Sequence, residues 1–181
     1  MSKTPPTLKP QDLFVLLTIL AHGGRTRNYL ALVLSTGLAP SVLHGVMKRA
    51  KAAGLMKVDE EGNYVVLKPQ LKEFVLFGAR YAFPAQLGGM TRGVPTSYAA
   101  APLDSIISPS ADAVPVWPYA RGEVRGLAIT PLHPNVPEYA MRDEKTHAVL
   151  SLFDAIRAGQ ARERNAAREL LEPYFQMTPS E

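Results

Sequence analysis

The sequence predicts a mainly α chain with a small β hairpin, an α+β class, followed by an irregular proline-rich arm and C-terminal helices. Three stretches carry that expectation. Residues 39–56, APSVLHGVMKRAKAAGLM, read as one helix with an abrupt stop, and two β-prone runs follow it around an Asp-Glu-Glu-Gly-Asn turn. Residues 83–137 hold nine of the sixteen prolines, which rules out a long helix there. Beyond Asp143 the apolar residues return to helical spacing.

The first segment, 1–9, reads as a flexible tail: it is polar and Pro-rich. Pro10-Gln11-Asp12 opens a helix, with the Asp12 carboxylate at the positive end of the dipole. Leu13, Leu16, Leu17 and Leu20 line one face and Phe14 and Val15 widen it, so this helix is expected to be central. His22-Gly23-Gly24 ends it. A second helix is expected over 28–36, capped by Thr26, with Leu30, Leu34 and Val33 inward. Gly37-Leu38 forms the turn into the third helix.

That third helix has an apolar stripe of Leu43, Val46 or Met47, and Ala50. Pro40 suits its first position, where no amide donor is needed. Ser41, His44, Gly45, Lys48 and Lys51 fall on the other side. Gly54 sits where a left-handed cap is wanted. Strands are expected at 55–58 and 64–67, and a fourth helix at 70–82, with Leu71, Phe74, Val75, Phe77 and Tyr81 as its apolar stripe. The arm, 83–137, recurs in large apolar residues such as Tyr98, Ile107, Val116 and Trp117, so it is read as ordered and extended, with one strand at 123–129. Asp143 caps a helix over 144–158 that Gly159 stops; a last helix, 160–171, runs until Pro173.

Composition narrows the function. An apolar content of 46% is enough for a core. With no Cys, a disulfide framework, a thiolate zinc site and a Cys nucleophile are excluded. The start does not resemble a signal peptide, and the longest apolar stretch, 13–21, falls short of the roughly 20 residues that span a bilayer. A soluble, cytoplasmic protein with no membrane partner is expected. Residues 1–68 carry nine Lys/Arg against four Asp/Glu, a net +5, while 69–181 carry eleven against twelve, a net −1. A basic excess confined to the first third is the footprint of nucleic-acid binding. Enzymatic chemistry finds no support: there is no Gly-x-Ser-x-Gly elbow, no His-Glu-x-x-His and no P-loop, and no cofactor is implied.

Three helices followed by a hairpin over residues 10–68 resemble the winged helix-turn-helix of bacterial transcriptional regulators of the MarR-like class. The line LSTGLAPSVLHGVMKRAKAAGLM has that family's rhythm: a small helix start, a Lys-Arg pair and a Gly-Leu-apolar close. Two features depart from it. Gly45 stands where a long polar reader is common, and the wing tip, Asp59-Glu60-Glu61, is acidic. A winged helix followed by a separate C-terminal module is also similar in layout to type IV abortive-infection antitoxins.

The resemblance implies double-stranded DNA as partner. Ser41, Val42, His44 and Lys48 would face the bases; Arg25, Arg27, Asn28, Arg49 and Lys51 would meet the phosphates. Residues 69–82 would connect this domain to the arm. Residues 138–175 would supply a homodimer contact through Val149, Leu150, Phe153 and Ile156, or bind a toxin-like protein partner; the alternative for those four residues is packing on the fourth helix, Leu71–Tyr81, within the same chain. The function expected is a sequence-specific, dimeric repressor; the alternative is an antitoxin-like interaction protein.

Overall fold

A computed structural model of the chain describes residues 6–108 and 113–178. The expected tail, 1–9, thus lies largely outside the described residues. The structure is mainly helical, with two small three-stranded sheets.

Helix α1 (Pro10–Ala21) is the centre: every residue from Asp12 to Ala21 is buried. A helix apolar all round needs cover on all sides. Its cover comes from α2 (Tyr29–Thr36) and α3 (Pro40–Ala52) and, from the far end of the chain, from α7 (Glu144–Ala158) and α8 (Ala161–Gln176).

The hairpin strands are β2 (Met56–Val58) and β3 (Tyr64–Val66), and a two-residue strand not anticipated from the sequence, β1 (Arg25–Thr26), joins them. All pairing is antiparallel in the order β1-β3-β2, with Thr26 opposite Tyr64 and Met56 opposite Val66.

Two details of α2 differ from expectation. Its cap is Asn28, whose side chain accepts the Leu30 N–H at 2.8 Å; Thr26 is in β1. Its inward residues are Leu32 and Thr36, while Leu30 and Leu34 are 61% and 67% exposed. Both pairs have helical i,i+4 spacing, and an offset of two residues turns a side chain to the opposite face.

The fourth helix begins earlier than expected and is interrupted. Helix α4 (Lys68–Glu73) passes into a π-helical turn, Phe74–Gly78, and then into α5 (Ala79–Ala82). Leu71, Val75, Leu76 and Ala79 are buried. Phe77 and Tyr81, expected inward, are 64% and 74% exposed. A π turn adds a residue to one turn of the helix and so shifts the phase of everything after it.

The proline-rich arm holds more regular structure than the one expected strand. Strand β4 (Leu87–Pro95) pairs antiparallel with both β5 (Pro115–Pro118) and β6 (Val124–Ile129), and β5 pairs parallel with β6, so the three close into a small barrel. The closure is tight enough that a Cβ at Gly93 would collide with the Trp117 carbonyl and one at Gly126 with that of Val114. A short helix, α6 (Val136–Ala140), ends the arm. Helix α8 continues through Pro173 to Gln176. Pro173 forfeits only its own bond to the carbonyl of Glu169, an exposed residue.

One buried cluster runs from Leu13 to Phe175 and includes residues of α1, α3, the α4–α5 segment, the barrel, α7 and α8. Val149, Leu150, Phe153 and Ile156 belong to it, each at 2% exposure or less. The face expected to form a dimer contact is therefore occupied within the chain, because α1 and α8 lie on it. A buried carboxylate ties this core to the barrel: Asp154 accepts hydrogen bonds from Trp117 Nε1 at 2.6 Å, Thr96 Oγ1 at 2.8 Å and Arg157 Nε at 2.7 Å. With three donors around it, its burial is compensated.

Candidate nucleic-acid interface

Helix α3 is built with two unlike faces. Leu43, Val46, Met47 and Ala50 are buried, and Val42 is half-buried at the edge of the core. Ser41, His44, Lys48 and Lys51 are exposed on the outward side. Helices α2 and α3 are joined by Gly37, Leu38 and Ala39 and bend by 105° at that break. Gly37 adopts a left-handed φ of 66°, and a Cβ there would come within 2.5 Å of the Tyr139 ring. Asn135 adds a hydrogen bond from Nδ2 to the Thr36 carbonyl at 3.1 Å. The turn between the two helices is thus clamped from outside by α6.

Arg49 departs from its expected role. Its Nε and Nη2 each lie 2.7 Å from an oxygen of the fully buried Asp12 carboxylate, which also accepts the Lys9 N–H at 2.8 Å. That bond to Asp12 holds the guanidinium pKa above its ordinary value. The residue joins the start of α1 to α3 and is not turned outward for a phosphate. Gly45 makes room for it, since a Cβ there would stand 3.0 Å from Arg49 Nη1. The missing long side chain at 45 has a packing reason.

Arg25 and Arg27 are exposed but engaged. Arg25 Nη2 donates to Asp59 at 2.6 Å and Glu61 at 2.9 Å; Arg27 donates to Glu61 at 2.6 Å and, through Nε, to Asn63 Oδ1 at 2.6 Å. The hairpin turn is held by Asp59, whose Oδ1 accepts the N–H groups of Glu61 and Asn63. The Asn63 side-chain amide, then the Asn63 N–H and Arg25, lower the Asp59 pKa to about 2. Asp59 and Glu61 therefore offset the two arginines, and Glu60 leaves the wing tip with a net negative charge. Asn28, expected on a phosphate, caps α2.

Sequence reasoning missed the floor of this surface. A hollow of about 250 Å³ lies between α3 and the hairpin, with His44, Lys48 and Lys51 at its margin and Tyr29 and Tyr64 inside. The two rings meet edge to face at 5.5 Å, and burial raises the Tyr29 pKa to about 12. The sequence carries no signal for this: the pairing of β1 with β3, seen only in the structure, brings Tyr64 beside the start of α2.

Among the described residues no group of three His, Asp or Glu side chains is placed to hold a metal ion, and no single helix is long and apolar enough to cross a membrane. Comparison with protein-family models, with curated proteins and with solved structures gives no match.

Proposed function

We propose that residues 10–68 form a winged helix-turn-helix and that the chain is a sequence-specific DNA-binding transcriptional regulator. The observation that carries this reading is the outward face of α3, set at 105° to α2 in the element order α1-β1-α2-α3-β2-β3. A helix-turn-helix joins its helices at about 90–120° through a short turn, and the second helix enters the major groove. Ser41 and His44 lie at the N-terminal part of that face, where base edges are read, with Lys48 and Lys51 one and two turns on. Phosphate affinity is assigned to Lys48 and Lys51, since Arg49 is committed to Asp12 and the wing arginines to Asp59 and Glu61.

Fluorescence anisotropy with duplexes selected from genomic fragments tests this reading. The log of affinity is expected to fall linearly with log salt, and Lys48→Gln or Lys51→Gln to lower that slope by about one. Ser41→Ala or His44→Ala is expected to relax sequence preference, by ~1–3 kcal/mol for a lost base contact. Binding that ignores both salt and α3 would remove the proposal.

A palindromic operator calls for two copies. With the α7 face enclosed, the proposed homodimer has to use another surface, and Phe77 is a large exposed apolar group in a groove of about 840 Å³ also lined by Leu55, Leu67 and Phe74. The same groove favours the second reading, an antitoxin-like protein that binds a protein partner. Sedimentation of the pure chain, with and without DNA, separates the two.

A further inference from the structure

A third cavity, of about 400 Å³, lies between the barrel and the start of α8, away from α3. Its volume falls in the range of small-molecule sites, ~300–1,000 Å³. The walls are mostly hydrocarbon: Leu87 from β4, Leu127 and Ile129 from β6, and the ring of Tyr98. Four polar side chains, Ser97, Ser108, Gln160 and Glu163, break the apolar lining, and two of them bear on what the cavity would take.

The first is Ser97. It is the one non-glycine residue with a positive φ, 53°, among the described residues, and it is 2% exposed. Glycine would hold that conformation without strain. A strained residue facing a cavity is a marker of function. The second is Glu163, the one charged residue in the lining among the described residues. It accepts the Gln160 N–H at 2.9 Å, which fixes its position at the first turn of α8, and it has no basic partner within ion-pair distance among the described residues. A Cβ at Gly159 would collide with the Ala155 carbonyl and stand 2.7 Å from Glu163 Oε2, so the end of α7 and the carboxylate approach each other only because residue 159 has no side chain.

We propose that this cavity binds a small organic cation: an ammonium group on an aromatic or branched hydrocarbon body. The body packs on Leu87, Leu127 and Ile129. The ammonium meets Glu163 and the Ser97 hydroxyl. A lone carboxylate in an apolar recess rewards a cation with a charge-assisted bond and rejects an anion of the same shape. The inference stands apart from DNA binding, since it uses none of the same residues.

Three probes of one shape class test it on the full chain: 2-phenylethylammonium, 2-phenylethanol and 3-phenylpropionate. Binding is followed by calorimetry and by amide shifts in NMR spectra. The ammonium is expected to bind saturably, at least about tenfold tighter than the alcohol, which corresponds to ~1.4 kcal/mol, with no saturable binding of the carboxylate. Shifts should centre on residues 87, 97, 127, 129 and 163. Glu163→Gln keeps the helix cap, since Gln serves in the same capping position, and is expected to bring ammonium and alcohol to equal affinity. Leu127→Trp fills the cavity from a wall that is already 44% exposed. It should abolish binding of both while leaving the circular dichroism unchanged. Ser97→Gly should raise the melting temperature of the free protein and weaken the ammonium. The proposal is overturned if the carboxylate binds as well as the ammonium, if Glu163→Gln keeps the preference, if the shifts map elsewhere, or if the ammonium does not bind.

Discussion

Asp12 is the charge on which the rest of the N-terminal packing depends. Its carboxylate is wholly enclosed, and two of its three bonds come from one guanidinium on another helix. Breaking a buried pair by removing one partner costs about 3–5 kcal/mol, because the other is left uncompensated. Asp12→Ala is accordingly expected to lose stability of that order in urea unfolding. Arg49→Gln should lose a similar amount while leaving any salt slope for DNA unchanged, which separates it from Lys48. The wing arginines behave oppositely, since their carboxylate partners are at the surface and easily exchanged. Glu61→Gln frees Arg27 and half-frees Arg25, so duplex affinity should rise and the salt slope steepen by about one. An unchanged slope would mean that the wing stays clear of the phosphates.

At the scale of elements, the segment leading into α6 is where pH enters. His133 Nδ1 accepts the Asn135 N–H at 3.1 Å, the ring stacks over Phe14 at 6.2 Å, and burial lowers its pKa. Its bond to Asn135 requires an unprotonated Nδ1. A histidine lowered in the folded state binds its proton more readily when unfolded. The stability it supports is therefore complete above its unfolded pKa of about 6.5 and declines as pH falls from there towards the folded value. Melting temperatures of the wild type should drop more steeply between pH 7.5 and 5 than those of His133→Asn. Parallel curves would show that this ring does not govern the clamp on α2 and α3. Elements differ in how plainly the sequence announces them. Helices α3 and α7 could be read because their apolar residues repeat with helical period, and α1 because it is one apolar run. Leu30 and Leu34 misled because Leu32 and Thr36 offer the same spacing, and only the neighbours of α2 choose between them. Strand β4 was hidden by Gly88-Gly89 and Gly93, which have no side chain to show alternation. Gly93 lets the Trp117 backbone of β5 approach and Gly88 lies close to Ala128 of β6. The outward residues of α3 were legible; the commitment of Arg25, Arg27 and Arg49 was not, since each partner is more than thirty residues away.

For the molecule as a whole, the residues that decide stability sit at the junction of α1 with α7. Phe153 is fully buried there. Phe153→Asp introduces a carboxylate without a partner into an apolar site, a cost of several kcal/mol by any reference scale. The expected result is loss of helicity and of the melting transition, read by circular dichroism. A well-folded variant that merely sediments at lower mass would restore α7 as an interface between copies. Heat should unfold the wild type in a single step, with both sheets lost together, because one buried cluster includes residues of both.

The shared core has a consequence for how such a chain can be changed. Helix α1 is encircled by segments from both ends of the sequence, so residues 10–82 are not a detachable cassette. Cut out alone, they would carry a helix whose face towards α7 is left bare to water, and the fragment should be insoluble or molten. A chimaera that gives this N-terminal half to another protein would have to take α7 along with it, or supply a helix of the same shape.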